Sequence, residues 1–129
     1  MYKRVRLMLV MLTVQFLLGM LVNLIGTPDA TASALVKLSH SIILGLHLLI
    51  GFGMLIGAGI IARFIWRQPN EVNRRWARLG AISVAAAVIS GILTVSTPLT
   101  EIFSFVMAAG FIGAFISYGR LWMELKQPS

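Results

Sequence analysis

The sequence predicts an all-α fold: a four-transmembrane-helix bundle made of two helical hairpins, with the N and C termini cytoplasmic. Three observations predict it: four long apolar runs, a charged fraction of only 12%, and Lys and Arg gathered at one end of the runs. Soluble domains are typically about 45–50% apolar and about 25% charged. Here 58% of residues are hydrophobic and the mean hydropathy is +0.90. A chain of 129 residues is too short to bury so much apolar surface inside itself, whereas lipid can solvate it. Residues 1–129 therefore read as a single membrane domain.

A helical span takes about 20 mostly apolar residues. The first run, 7–25, carries no charge. The second, 41–62, lies between His40 and Arg63, and the third, 79–95, follows Arg78 and stops before Pro98. The fourth, 102–119, lies between Glu101 and Arg120. Helices are expected because lipid offers backbone groups no other partner. A β-barrel would show alternation, and these runs show none.

Lys and Arg set the expected orientation. Of 11 such residues, only Lys37 falls in a connection opposite the termini. The rest lie at the N-terminus (Lys3, Arg4, Arg6), at the middle loop (Arg63, Arg67, Arg74, Arg75, Arg78) and at the C-terminus (Arg120, Lys126). The positive-inside rule then puts both termini and the middle loop in the cytoplasm. The expected location is the cytoplasmic membrane of a prokaryote, with several passes. Trp66, Trp76, Trp122, Tyr2 and Tyr118 fall at that same interface and read as aromatic anchors. Because the net charge of +7 is confined to span ends, it marks topology and excludes a nucleic-acid partner. The basic Lys3–Arg6 stretch before an apolar run resembles a signal peptide. The run is longer than the usual hydrophobic region of about 7–15 residues, so an uncleaved first helix is expected.

The outer connections use a repeated device. Thr27-Pro28 precedes the second span and Thr97-Pro98 the fourth. Thr as N-cap with Pro at the first helical position is the expectation at both. Asp29 and Glu101 would then lie in first turns, favoured by the helix dipole.

Small residues mark the packing faces, since close helix approach in lipid relies on them. Ser83, Ala87 and Gly91 form a stripe on the third span, and Gly53 and Gly57 on the second. These stripes are expected to bind helices within the chain, and any spare face to make a homo-oligomer or dock on a larger membrane subunit.

Chemistry-bearing residues are few. There is no cysteine, which excludes thiolate catalysis, disulfides and Cys-ligated metals. Paired carboxylates, a phosphate loop and an HExxH motif are also missing, so no catalytic residue, metal site or enzyme activity is expected. The residues of interest are His40 and His47, seven apart on one helix face. His47 lies about 8 Å inside the outer boundary by helical rise. Asn23, Glu101 and Ser104 reach a similar level and complete an outer polar cluster, with Gln15 set apart near the middle of the first span. Three roles are open to His47: a hydrogen bond that fixes helix register, ligation of a b-type haem, or a quinone or lipid headgroup pocket. Haem would need His47 with Met20 or Met107, or His47 from two protomers, with Gly51 giving the macrocycle room.

Gln15-Phe16-Leu17-Leu18-Gly19-Met20 with Asn23, followed by Leu46-His47-x-x-x-Gly51, resembles a group of small four-helix bacterial membrane proteins of unassigned function. The resemblance implies a four-helix fold and makes His47 part of a pattern; it supplies no activity. The His-x-x-x-Gly piece also resembles haem-binding helices of cytochrome b proteins. Those carry histidines on at least two helices, and this chain has both of its histidines on one. The expected role is non-catalytic, exerted by helix packing as a homo-oligomer or an accessory subunit. The alternative is a haem- or quinone-binding electron-transfer module centred on His47.

Overall fold

The computed structural model describes residues 1–126. Within them the fold is all-helical: α1 (Tyr2–Ile25), α2 (Ala34–Trp66), α3 (Glu71–Ser96) and α4 (Thr100–Lys126). All four are long and apolar enough to cross a membrane. Each contains its expected span and extends beyond it. α2, with 33 residues, is about 50 Å long, against an apolar layer of roughly 30 Å.

The helices form a ring. α1 packs on α2, α2 on α3, α3 on α4 and α4 on α1, while the backbones of the diagonal pairs stay more than 8 Å apart between Cα atoms among the described residues. Ring neighbours run antiparallel, as paired residues show. Tyr2 stacks on Trp122 at 5.7 Å and Phe16 on Phe111 at 5.4 Å, joining α1 to α4. Both ends of the described chain and the α2–α3 connection therefore lie at one end of the bundle.

α3 and α4 make the closest pair, and the small residues explain it. A Cβ added to Gly110 would sit 2.9 Å from the Ser83 carbonyl oxygen and 3.0 Å from the Ala87 nitrogen. One on Gly113 would meet Ser83 Oγ at 2.8 Å, and one on Gly91 would meet Met107 Sδ at 3.3 Å. The Ser83, Ala87, Gly91 stripe is thus spent inside the chain. Gly53 and Gly57 face α1, where Met11 Cε and Met8 Cε lie 3.6 and 3.0 Å from their Cβ positions.

Two capping expectations are corrected. α2 starts at Ala34, not at Pro28, because Ser33 caps it by accepting from the Val36 N–H. Asp29 instead closes a turn, accepting from the Thr31 N–H at 3.0 Å and the Thr31 hydroxyl at 2.8 Å. Asx turns compete with helix in this way. Thr97 does not cap α4; its hydroxyl donates back to the Leu93 carbonyl, and α4 begins at Thr100. Glu101 does lie in the first turn. Tyr118 also departs from expectation: it is 0% exposed, a core residue rather than an interfacial anchor.

Burial is uneven along the bundle. Val5, Met8 and Leu12 of α1, Ala58, Ile61 and Ile65 of α2, Ala77 and Val84 of α3, and Tyr118 and Leu121 of α4 enclose the core. They run from the end that bears the termini to about the middle of the bundle. Beyond the level of Gly51 and Val84, Ser90 is the one buried residue among those described. Large apolar side chains stand exposed there, including Leu24, Leu49 and Phe105 at 83%, 68% and 76%.

Candidate functional site

Gln15 of α1 and His47 of α2 meet across the first hairpin. The Gln15 side-chain amide donates to the His47 main-chain carbonyl at 2.9 Å. A carbonyl oxygen has two acceptor sites, so this bond adds to the helical one. Gln15 can reach because Gly51, one turn further along α2, has no side chain: a Cβ there would lie 3.2 Å from Gln15 Nε2. The same happens in reverse. The His47 ring lies over Gly19, whose Cβ would be 3.1 Å from Cε1 and 3.6 Å from Nδ1. Each helix thus offers a long polar side chain and, four residues on, a glycine notch. Antiparallel packing sets the side chain of one into the notch of the other.

The fit leaves two polar atoms over. Gln15 Oε1 and His47 Nδ1 are both buried without a hydrogen-bond partner. A buried polar atom left so costs roughly 1–3 kcal/mol by protein mutational data. Chemically, the notch offers an amide acceptor and an imidazole nitrogen that can donate or accept. It has no acid–base pair and no nucleophile. Among the described residues no group of three or more metal-ligating side chains converges.

The other expected site residues are placed apart from this notch. Met20 is 55% exposed on α1. Met107 packs its sulfur against Gly91 in the α3–α4 interface. The space at Gly51, expected for a macrocycle, is taken by Gln15. His47 is turned toward Gly19 of its own chain, which also disfavours a pair of His47 rings about a two-fold axis. In the outer cluster, Asn23 and Glu101 are exposed, and His40 and Ser104 are half-buried. No hydrogen bond joins them, and the single ion pair among the described residues is Arg74–Glu71.

Gln15 is the member that sequence reasoning set aside. A usable signal existed: Gln15-x-x-x-Gly19 has the same spacing as His47-x-x-x-Gly51. In an antiparallel hairpin, equal spacings align. A second polar group was also missed. Asn73 Oδ1, Tyr118 Oη and Trp122 Nε1 are buried without partners near the terminus-bearing end of α3 and α4. Gly80 makes room for the Tyr118 ring, whose Cζ would lie 2.8 Å from an added Cβ.

No protein-family model, curated protein or solved structure matches the chain.

Proposed function

We propose that this chain is a multi-pass protein of a prokaryotic cytoplasmic membrane, with both termini and the α2–α3 connection inside. Its role is non-catalytic. It acts by helix packing, as a homo-oligomer or as an accessory subunit of a larger membrane complex. The orientation rests on the placement of ten of the 11 Lys and Arg residues under the positive-inside rule.

One observation carries the packing role: the buried core is confined to the terminus-bearing part of the bundle. Beyond the Gln15–His47 level, four long apolar helices enclose almost nothing. In lipid, unburied apolar surface alone is no sign of a partner. An incompletely packed polar layer is, because the side chains of His40, Asn23, Glu101 and Ser104 make no hydrogen bond or ion pair among the described residues. Asn23 and Ser104, which fall inside the spans, gain most from hydrogen bonds across helices. A second chain inserting there would supply them.

The test is the mass of the particle extracted from membranes with its lipid, read by native mass spectrometry. A photo-crosslinking residue at Leu49 or Phe105 adds position. The expected result is a species of fixed stoichiometry, heavier than the 14.1 kDa chain, crosslinked from both positions. A lone chain with lipid adducts only, at native expression levels, overturns the reading.

A further inference from the structure

At the terminus-bearing end, residues of α1 and α2 line a groove of about 620 Å³. Its walls are apolar, from Leu7, Met11 and Ile60, and its mouth is cationic, from Arg4, Arg63 and Arg67. Arg4 is held in place, with its guanidinium 4.4 Å from the Phe64 ring centroid. Stacking of this kind orients a cation that would otherwise wander in solvent. No Asp or Glu lines the groove, and the single ion pair among the described residues is elsewhere, between Arg74 and Glu71. Three guanidinium groups, from α1, α2 and the C-cap of α2, therefore share one opening with no carboxylate to answer them.

Topology alone does not require this arrangement. Cations scattered in a loop would orient the chain as well. What the groove adds is an apolar channel leading directly from a guanidinium cluster. That combination matches an amphiphile with an anionic head. Guanidinium forks pair with phosphate oxygens through two parallel hydrogen bonds, and basic pockets between spans at the cytoplasmic face suit phospholipid head groups. A smaller groove across α2, of about 270 Å³, shares Arg63 and adds Arg74 and Arg78. It is the weaker candidate, because Arg74 is already paired with Glu71 at 3.3 Å.

We infer that the α1–α2 groove binds an anionic phospholipid, with the phosphate held by Arg4, Arg63 and Arg67 and an acyl chain laid along Leu7, Met11 and Ile60. The inference rests on the membrane-spanning reading of the chain.

The experiment uses the full chain in vesicles of phosphatidylcholine doped with phosphatidylglycerol, followed by native mass spectrometry of the lipid it retains. The expected result is one phosphatidylglycerol held in preference to phosphatidylcholine. The double variant Arg63→Gln, Arg67→Gln should lose that preference about tenfold, as for loss of charge-assisted bonds of roughly 1.4 kcal/mol. The control Lys3→Gln, Arg75→Gln removes the same charge outside the groove and should keep it. Arg4→Gln alone should weaken it partly, and circular dichroism verifies that each variant is folded. Equal retention of both lipids, or equal loss in groove and control variants, overturns the site. Alkaline extraction separates the two failures: chain released from the vesicles refutes the membrane reading, whereas chain retained without selecting phosphatidylglycerol refutes the groove alone.

Discussion

The side-chain amide of Gln15 donates to the main-chain carbonyl of His47 at 2.9 Å, and it does so from the space above Gly51. The His47 ring fills the matching space above Gly19. This reciprocal fit matches one register of the two helices.

Gly51→Leu should clash with Gln15, and Gly19→Leu with His47. Overpacking of this kind typically costs about 1–3 kcal/mol. Shortening the opposing residue should relieve it. Gln15→Ala should rescue Gly51→Leu, and His47→Ala should rescue Gly19→Leu, but the crossed pairs should not. A double-mutant cycle read by unfolding in detergent checks this. Additive effects in all four combinations would mean that the notches do not mate.

His47→Gln should be mild. An amide can still donate a hydrogen bond and fit near Gly19, and the bond from Gln15 goes to the main chain, which the substitution leaves in place. The purified protein should show no Soret band, since Gln15 occupies the space at Gly51 that a macrocycle would need. A Soret band in the parent that disappears in His47→Gln would restore haem ligation as the role of this residue.

Much of the fold was legible because its causes are local. Each span is an uninterrupted apolar run, and its ends are marked by Arg, His, Glu or Pro. The helix starts were less legible. Thr27-Pro28 and Ser33 both suit a cap, and only the Asp29–Thr31 turn decides for Ser33. The site was half legible: His47 and Gly51 stood out, but their partners depend on which face of α1 turns inward. Apolar residues all round a helix hide that choice, since lipid and protein both accept them. Tyr118 was misplaced for a related reason. A tyrosine near a span end suits the interface, and only the facing Gly80 reveals a slot for it.

Glycine substitutions should divide by what an added methyl meets. Gly110→Ala places it 2.9 Å from the Ser83 carbonyl oxygen, so α3 and α4 must separate. Gly59→Ala meets nothing within 4 Å, and alanine favours helix by up to about 1 kcal/mol. Thermal unfolding in detergent should therefore show Gly110→Ala lowered by several degrees and Gly59→Ala unchanged or raised. The reverse order would contradict the α3–α4 packing.

Tyr118→Phe should be neutral or stabilising. The Tyr118 hydroxyl is buried with no partner, and removing such a group ends a desolvation cost of about 1–3 kcal/mol without leaving a partner orphaned. Gly80→Ala, which drives a methyl into the same ring, should be destabilising. A Tyr118→Phe variant several degrees less stable than the parent would show that the hydroxyl is bonded.

Cysteine accessibility on intact cells tests a four-span bundle with both ends inside. The chain has no cysteine of its own, so single probes report cleanly. Ala30 lies in the α1–α2 connection and is exposed, and Val72, 48% exposed, lies at the opposite end of the bundle near the start of α3. An impermeant thiol reagent should label Ala30→Cys on intact cells and label Val72→Cys only after permeabilisation. Labelling of Val72→Cys but not Ala30→Cys would reverse the orientation, and equal labelling of both on intact cells would contradict a spanning bundle with a single orientation.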